Sequence, residues 1–354
     1  MSVIDSFVKK NVEWLTATGP DSDVVVSSRL RLARNLKGFP FLQKLVPAQQ
    51  EQIVELMKGV LEKSTVLKKG HYLRYNDLTD LDRQFLLERH LISREHANEK
   101  GHKAVAVTPD EQVSVMVLEE DHLRLQVFQS GFNLAESWRV VNQLDTEIEK
   151  NAEFSFSPTL GYLTACPTNV GTGLRASCML HLPSLVLTKQ VHKVLQALAK
   201  LNLAARGLYG EGTQATGNFF QFSNQMTLGQ QEEEIIDNLA SVIRQVVDQE
   251  REARGFLGEK RKAKFEDQIW RALGTLKAAR VISSSEATQL LSLLQLGILM
   301  GLVKSNLTHQ DLNALFLLIQ PAHLQKISAK TLNSTERDVR RADLIREKLT
   351  QVSL

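Results

Sequence analysis

The sequence predicts an α+β fold: a largely antiparallel sheet flanked by helices, followed by an all-helical C-terminal domain. Strand-like and helix-like hydrophobic patterns are mixed from residue 24 to about residue 250, without the regular strand–helix alternation that a parallel sheet requires. No convincing strand pattern follows "REARGFLGEK" at 251–260. We therefore expect a first region over 1–258, with a short N-terminal part to about residue 75 and then a sheet core, and a helical domain over 259–354.

The first half of the chain combines strand and helix patterns. "VVVSSRLRLARN" at 24–35 begins as a β-branched run and continues in alternation, which predicts a strand. Apolar residues recur at helical spacing over 48–63, which predicts a helix. Between 104 and 128 we expect two strands around the turn residues "TPDEQ", with the second strand running through "VSVMVLEEDHLRLQVF".

The second half repeats this mixture and then becomes helical. Helical periodicity is found at 137–150, 188–201 and 232–247, and strand-like patterns at 160–165, 176–182 and 219–226. In the C-terminal part we expect helices that begin near the serines at 283–285 and at Thr308, which has an acid three residues later in a capping-box-like arrangement. Pro321 is expected to end the second of these helices.

The composition is that of an ordinary globular protein, with 43% hydrophobic and 23% charged residues among 354. The net charge of +3 is too small to predict nucleic-acid binding. The two cysteines, Cys166 and Cys178, argue against a disulfide scaffold and fit a reducing cytoplasm. The N-terminus lacks a signal-peptide pattern, and the most apolar run, at 290–303, is shorter than the roughly 20 residues of a membrane span. We expect a cytoplasmic protein that binds neither nucleic acid nor membrane.

Two glycine-containing stretches raise the question of a nucleotide loop. "CPTNVGTGLRASCMLHL" at 166–182 contains G-x-G-x-x-A, and "GEGTQA" at 210–215 contains a similar pattern. A dinucleotide-binding fingerprint must follow a strand and open a helix. In the first stretch the residues after the glycines alternate as a strand does, and the sequence contains no P-loop motif. A Rossmann-type or P-loop site is therefore rejected.

Charged side chains at strand spacing are more informative. Arg29 and Arg31 share one strand face with roots roughly 7 Å apart, which suits two neighbouring phosphates. Glu120 and Arg124 share a face of the second predicted strand, roughly 13 Å apart, which suits a carboxylate at a reacting group and a guanidinium at the far phosphates. Taken singly, each arginine is better explained by the solvated face of an edge strand, and Cys166 by a small buried hydrophobe. Glu120 alone would be a surface carboxylate.

Four motifs together resemble the phosphagen (guanidino) kinase family. "SSRLRLARN" is similar to its S-x-R-[VLI]-R segment, and "EEDHLR" at 119–124 to its N-E-E-D-H-[LI]-R signature. "CPTNVGTGLRAS" at 166–177 is similar to the cysteine-bearing signature loop, and "RGLYGEG" at 206–212 to the segment with a second catalytic glutamate. The resemblance implies a phosphagen-kinase-like catalytic domain built on a mainly antiparallel sheet.

Further features resemble the bacterial protein-arginine kinase branch of that family. The S-x-R-x-R segment begins at Ser27, which leaves no room for the helical domain that precedes it in small-substrate guanidino kinases. "RDVRRA" at 337–342 resembles the R-D-x-x-R-A phosphoarginine-recognition motif. One position departs from the family pattern: Leu118 replaces the signature asparagine before the two glutamates, and we expect this to tune rather than abolish activity.

The resemblance implies ATP and Mg²⁺ as cofactors, with Mg²⁺ bridging the phosphates and few protein ligands of its own. Nucleotide contacts are expected from Ser28, Arg29, Arg31, Arg124, Arg175 and Arg206. His90 is expected to stack on the adenine. Glu120 and Glu211 would hold the acceptor guanidinium, and one of them would take its proton. Cys166, as a thiolate, would help to orient that guanidinium.

The implied function is ATP-dependent phosphorylation of arginine side chains in proteins, which would mark them for a Clp-type protease. Arg337, Asp338 and Arg341 would bind phosphoarginine in the helical domain, which we also expect to form a homodimer or higher homo-oligomer. Expected partners are proteins with exposed arginines, an McsA-type activator and a Clp-type ATPase. Two alternatives stay open: a kinase for a small free guanidino compound, and a catalytically silent adaptor that reads phosphoarginine.

Overall fold

The computed structural model describes residues 3–8, 10–98, 101–207, 215–260 and 262–352. Its strands are β1 Val25–Arg34, β2 His71–Arg74, β3 Ala104–Val107, β4 Val113–Val117, β5 Leu123–Ser130, β6 Phe156–Ser157, β7 Gly161–Tyr162, β8 Leu174–His181, β9 Leu203–Gly207 and β10 Phe219–Asn224. Eight of them form one antiparallel sheet in the order β2-β3-β4-β5-β1-β8-β10-β9, and β6 pairs with β7. The predicted α+β class with a mainly antiparallel sheet is confirmed.

The helices surround this sheet and then continue alone to the C-terminus. They are α1 Val3–Val8, α2 Pro47–Leu61, α3 Asp80–Glu88, α4 Arg94–Asn98, α5 Leu134–Glu149, α6 Pro183–Leu187, α7 Val191–Lys200, α8 Glu232–Lys260, α9 Lys262–Ala278, α10 Ser284–Leu299, α11 His309–Leu318, α12 Pro321–Ser328 and α13 Ser334–Lys348. Ser283 and Thr308 cap α10 and α11 as predicted, the latter with the Asp311 capping box. Pro321 lies just beyond α11 and opens α12.

The structure corrects two predicted strands. The run 113–128 is not one strand, because the chain turns at Leu118, whose φ is +61°, and its N–H donates to the His122 carbonyl over 2.8 Å. Residues 118–122 therefore form a loop between β4 and β5. The predicted strand 160–165 shortens to β7, which pairs with β6 and makes an isolated bridge between Tyr162 and Gly171.

The two faces of the sheet pack against different layers. On one face, residues such as Leu30, Leu125 and Ala176 share a hydrophobic core with α2, α5 and α8. On the other face, Val26 and Phe128 share a second core with the helices from α9 onward. The second core covers only one end of its sheet face. A third core, in which Val105, Val107 and Met116 pack with α3 and α4, covers the β3–β4 part of the same face, and the remaining polar positions of that face form the site described below.

The C-terminal helices are thus packed on the sheet rather than set apart from it. α8 runs without a break through the predicted boundary at 258/259 and ends at Lys260, and α9 starts at Lys262. On the N-terminal side, Glu88 accepts hydrogen bonds from the backbone N–H groups of Ala322 (2.7 Å) and His323 (3.0 Å) at the start of α12. The division into domains at 258/259 stays a prediction. Among the described residues, no helix has the length and apolar character needed to cross a membrane.

Candidate active site

A row of arginines lies across the centre of the sheet. Antiparallel register places Arg31 of β1 opposite Gln126 of β5 on one side and Arg175 of β8 on the other. Side chains in register on neighbouring strands point to the same face. Because Leu30 and Leu32 are fully buried in the first core, the alternating Arg29 and Arg31 face the opposite side, as the sequence predicted.

This polar end of the sheet face forms the wall of a cavity of about 690 Å³. The charged or nucleophilic side chains that line it are Arg31, Arg124, Arg175, Arg206, Glu95, Glu119, Glu120 and Cys166. Sequence motifs separated by more than a hundred residues, from β1 to β9, therefore converge on a single cleft.

Among the described residues that line the cavity, arginines outnumber glutamates by four to three. The Nε of Arg31 is buried and has no hydrogen-bond partner among the described residues. Burial, and then the neighbouring Arg29, Arg124 and Arg175, lower the pKa of Arg31 well below its usual value. Burial and nearby Arg206 also lower the pKa of Arg175. Arg31 thus has three arginines and the Glu119 carboxylate near it. A buried cation with too little opposite charge is unfavourable, so these residues fit a polyphosphate ligand, which would supply further negative charge and hydrogen-bond acceptors.

Arg29 is held by a neutral side chain. Its Nε donates to Oε1 of Gln126 over 2.8 Å, its Nη2 donates to the same oxygen, and its guanidinium lies 4.9 Å from the Phe128 ring centre. Gln126 is fully buried, and its Nε2 donates to the His90 carbonyl (2.7 Å) and to Ser114 Oγ (3.0 Å). Burial and then Arg124 lower the pKa of Arg29 to about 9. Gln126 therefore fixes Arg29 without neutralising it.

Arg124 is instead held by carboxylates from the β4–β5 loop. It donates to Glu119 (Nη1–Oε1, 2.5 Å) and lies 3.4 Å from Glu120 (Nη2–Oε2). Glu119 is buried and also accepts hydrogen bonds from Ser93 Oγ (2.6 Å) and the Glu120 N–H (2.8 Å). The predicted separation of roughly 13 Å between Glu120 and Arg124 is wrong, because the chain turns in this loop instead of continuing as a strand. The sequence pattern did not indicate the role of Glu119, which is to hold Arg124.

Glu120 is the accessible carboxylate of this loop, with 39% of its side chain exposed. Its partial burial raises its pKa, Arg124 opposes that rise, and Glu119 and Asp121 add to it. A carboxylate with a raised pKa is a stronger base than an ordinary surface glutamate. Glu120 can therefore accept hydrogen bonds, and a proton, from a group that enters the cavity.

Cys166 lies at the start of a loop whose preceding residue is hydrogen-bonded to Asp121. Its Sγ lies 3.1 Å from Thr168 Oγ1 and lines the cavity. Just before it, the Ala165 N–H donates to Asp121 Oδ1 over 2.6 Å, and the same oxygen accepts from Asn35 Nδ2. Asp121 thus connects the glutamate loop to the cysteine loop, so that Glu120 and Cys166 reach the same space.

Not every residue expected at the site is found at the cavity among the described residues. Ser28 is fully buried on the other face of the sheet, where its Oγ donates to the Gly131 carbonyl (2.9 Å) and accepts from the Asn133 N–H (2.8 Å). The Ser28 side chain therefore does not reach the cavity, and its expected nucleotide contact is corrected. Glu211 lies outside the described residues. Leu118 is buried in the first core, so a side chain at this position points away from Glu120.

His90 lies beside the main cavity rather than in it. With Arg29 and Phe128 it lines a smaller cavity of about 100 Å³, and its ring lies 5.2 Å from the Trp14 ring. Burial and then Arg29 lower the pKa of His90 to about 3, so the ring is neutral. The expected stacking on adenine stays a prediction. Within the described ranges, no group of three or more His, Cys, Asp or Glu residues is arranged to hold a metal ion.

The C-terminal motif occupies the first half of α13. Arg341 is 2% exposed; its Nε donates to the Ile319 carbonyl (2.8 Å), and its Nη1 donates to the Ile282 carbonyl (2.9 Å) and to Asp338. Arg337 is partly exposed and donates to the Leu332 carbonyl over 2.8 Å. The sequence predicted two free guanidinium forks on one helix face. Arg341 does not have a free guanidinium, because its hydrogen bonds to the Ile282 and Ile319 carbonyls connect α13 to the segment before α10 and the segment after α11.

Comparison with known proteins agrees with this geometry. A family model described as the ATP:guanido phosphotransferase C-terminal catalytic domain matches residues 52–253. Among solved structures, the duplicated taurocyamine kinase of Schistosoma mansoni, with bound transition state analog components, superimposes with a TM-score of 0.60 at 28% identity over 66% of this chain and 34% of that chain. Lombricine kinase has the same fold (TM-score 0.57, 24% identity, 69% of this chain and 70% of that chain). The fold and the matching catalytic-domain model place the chain in the guanidino phosphotransferase class.

The C-terminal part of the chain and its full-length relatives identify the branch of this class to which the chain is similar. A model described as the protein-arginine kinase McsB C-terminal domain matches residues 262–354. A protein-arginine kinase of Symbiobacterium thermophilum is 49% identical over 340 residues, covering 95% of this chain and 96% of that protein. One from Desulforamulus reducens is 46% identical over 356 residues, covering 100% of this chain and 99% of that protein. The chain belongs to the protein-arginine kinase family.

Proposed function

We propose that this protein transfers the γ-phosphoryl group of ATP to arginine side chains of other proteins, in the cytoplasm. The observation that carries the proposal is the cavity in which four arginines, among them Arg31 with a buried Nε that has no partner among the described residues, lie beside Glu120 and Cys166. Such a cavity accepts a polyanion and a cation side by side. Membership of the protein-arginine kinase family supports arginine as the cation.

The arginines would act by electrostatic clamping. Phosphoryl transfer passes through a loose transition state whose negative charge is spread over the phosphoryl oxygens. Arg31, Arg175 and Arg206 line the cavity, and Arg29, which Gln126 holds in place, lies beside it on the same sheet face. Guanidinium donors that are already in place stabilise developing charge without reorganisation. Mg²⁺, when bound with the nucleotide, would supply positive charge that offsets the charge of the phosphates. Its ligands would come mainly from phosphate and water.

Glu120 would prepare the acceptor. A guanidinium has a pKa above about 12 and is a poor nucleophile until it loses a proton. In the proposed step, one terminal nitrogen of the acceptor attacks the γ-phosphorus, forming the P–N bond while the bond from phosphorus to the bridging oxygen breaks. The electron pair of that bond leaves with ADP, and the proton of the attacking nitrogen passes to a carboxylate. Glu120, with its raised pKa, is a suitable proton acceptor; Glu211 is the other candidate.

Cys166 would orient the acceptor rather than react with it. Its sulfur lies at the cavity wall within hydrogen-bond range of Thr168 Oγ1. Contact with one edge of the guanidinium would leave the opposite edge for Glu120, so that the attacking nitrogen is aimed at the phosphates.

Two other functions compete with this proposal. A kinase for a small free guanidino compound would use the same cavity, and a silent adaptor would bind phosphoarginine without catalysis. Incubation of the purified protein with Mg-ATP and either a folded protein or free arginine, followed by detection of acid-labile phosphoarginine, separates the three. We expect phosphoarginine on the protein and little on free arginine; the reverse would favour the small-substrate kinase, and none on either would favour the adaptor.

We further propose that the modification marks proteins for a Clp-type protease in protein quality control. An McsA-type activator and a Clp-type ATPase are the partners that this role requires, and a homodimer or higher homo-oligomer is the proposed assembly. Degradation of a reporter protein in the presence of the wild-type kinase, and its loss with Glu120→Gln, would support this role; unchanged degradation with the variant would contradict it.

A further inference from the structure

The loop 166–173, which lines the catalytic cavity, also lines a second depression on the protein surface. We call 166–173 the cysteine loop. The second depression is a groove of about 230 Å³ between the β6–β7 hairpin and the segment 227–230, with Gly171 and Thr172 also lining it. Three apolar side chains at this groove are strongly exposed: Phe156 (57%), Leu160 (47%) and Leu228 (48%). A cluster of exposed apolar side chains around a concave surface is typical of a contact site.

The floor of the groove is built by close backbone packing. A side-chain carbon at Gly171, whose φ is +109°, would lie 2.3 Å from the Thr227 carbonyl oxygen, and one at Gly161 would lie 2.5 Å from the Gly171 carbonyl oxygen. Tyr162 forms one wall, and its ring is covered by the Arg34 guanidinium at 3.5 Å. Arg34 is itself buried in an ion pair with Asp145 (2.9 Å). The groove is therefore a rigid feature of the fold.

The groove and the catalytic cavity share one loop. Cys166 and Thr168 line the cavity, whereas Gly171 and Thr172 line the groove. Thr227 fixes the connection, because its Oγ1 donates to the carbonyls of Thr168 (3.0 Å) and Val170 (2.7 Å). A polypeptide whose arginine enters the cavity beside Cys166 would thus have neighbouring residues within reach of the groove.

The charge at the groove suits a polypeptide that contains arginine. Glu232 lines the groove, and Glu233 and Glu234 follow it in the first turn of α8. Carboxylates beside apolar side chains favour a basic, apolar ligand. They disfavour an acidic one.

We propose that this groove binds the substrate polypeptide next to the arginine that is phosphorylated, and that it selects segments with an apolar side chain a few residues from that arginine. The inference rests on the proposed kinase function. Apolar residues beside arginines are buried in most folded proteins, so the groove would direct the enzyme to unfolded or locally exposed segments.

The test compares two short peptides, each with a single arginine, flanked either by leucines or by serines. For the wild type we expect kcat/KM to favour the leucine peptide by about tenfold, as burial of one apolar side chain predicts. In Phe156→Ser combined with Leu228→Ser, the ratio between the two peptides should fall to about one. Leu201→Ser, a change at an exposed leucine (56%) that lines neither depression, should keep the wild-type ratio.

The proposal would be overturned if the wild type showed no preference for the leucine peptide, or if the groove variant kept that preference. It would also be overturned if the groove variant changed only in its oligomeric mass, measured by light scattering. The last result would assign the groove to a second copy of the chain. Failure of the kinase function is distinguishable, since it would leave both peptides unphosphorylated. Fluorescence anisotropy of the two labelled peptides then still tests the groove, with tighter binding of the leucine peptide expected and equal binding contradicting it.

Discussion

Two arginines of the active-site face are held in chemically different ways. Arg124 is paired with the carboxylates of Glu119 and Glu120, whereas Arg29 is held by the neutral amide of Gln126. An amide fixes the geometry of a guanidinium but leaves its charge available to a ligand. Gln126 is therefore a positioning residue for the proposed nucleotide site.

Replacement of Gln126 tests this role. Gln126→Leu removes the acceptor for Arg29, and a hydrogen bond to a charged group contributes roughly 1.5–3 kcal/mol. We expect ATP affinity, measured by calorimetry, to fall about tenfold or more, with KM for ATP rising more than kcat falls. Gln126→Glu keeps an acceptor but neutralises Arg29, so it should also weaken ATP binding. Wild-type ATP affinity in both variants, with unchanged thermal stability, would show that Arg29 and Gln126 do not serve the nucleotide.

Much of the site at this scale could be predicted from the sequence. The family resemblance predicted one site for Arg31, Arg175 and Cys166, and all three line the same cavity. Strand alternation correctly separated Arg29 from Leu30. The same alternation places Ser28 on the face opposite Arg29, which is where the structure has it. The family motif outweighed that simple geometric rule, and the expected role of Ser28 was wrong for this reason.

At the scale of elements, the β4–β5 loop departs most from the prediction. Residues 119–122 are four consecutive polar residues, which interrupt the alternation of the flanking strands, but the loop contains no glycine or proline to mark a turn. The turn depends on the positive φ of Leu118, a conformation that L-residues with bulky side chains rarely adopt. Burial of the Leu118 side chain in the core offsets that conformational cost. Only the packed structure contains this information.

Helix α13 offers a matched pair of substitutions. Arg341→Ala leaves the buried carbonyls of Ile282 and Ile319 without donors, so we expect it to lower the free energy of unfolding by roughly 2–5 kcal/mol. Arg337→Ala removes a partly exposed side chain and should change stability by less than about 1 kcal/mol. Denaturant titration of both variants measures the difference. A larger loss for Arg337→Ala would contradict the assignment of Arg341 as the structural member.

The same pair addresses phosphoarginine recognition, which stays a prediction. If the motif binds phosphoarginine, Arg337→Ala should weaken binding of a phosphoarginine peptide while the fold and the ATP site are unaffected. Calorimetry with the catalytic cavity blocked by a nucleotide analogue measures this. Unchanged affinity would mean that Arg337 only contributes to a charged helix surface.

For the whole molecule, the contact between the sheet and the C-terminal helices contains a buried histidine. His181 of β8 lies 2.7 Å from Ser292 Oγ of α10, and its ring stacks on Phe219 at 4.7 Å. Burial, and then the nearby His309 and Arg254, lower the pKa of His181 to about 3. In the unfolded chain a histidine has a pKa of about 6.5. The unfolded state therefore binds a proton between these values that the folded state does not bind.

This difference predicts loss of stability in acid. As the pH falls from 6.5 to about 3, protonation of His181 in the unfolded chain should lower the free energy of unfolding by about 1.4 kcal/mol for each pH unit. Above pH 6.5 its effect should be constant. His181→Asn, which cannot be protonated, should reduce that slope in urea titrations at different pH. His192→Asn on the exposed side of α7 is the matched control. Identical slopes in wild type and His181→Asn would contradict the prediction.

The sequence described the two regions well but not how they meet. An absence of strand patterns after 260 correctly predicted a helical C-terminal region. Its docking on the sheet depends on Val26, Phe128 and Met179, which alternate with first-core residues along their strands. A strand with apolar residues on both faces predicts a second layer of unknown identity. Which helices form that layer is decided by long-range packing that periodicity does not record.

We propose that Glu120 and the arginines of the cavity together catalyse formation of the P–N bond. The most direct measurement follows ³¹P NMR spectra of an arginine peptide with Mg-ATP, for wild type and Glu120→Gln, with ATP affinity measured in parallel. We expect a phosphoarginine resonance with wild type and a rate about a hundredfold lower in the variant, as is typical for loss of general base catalysis, with ATP affinity nearly unchanged. Phosphoarginine formation at the wild-type rate by Glu120→Gln would contradict the account.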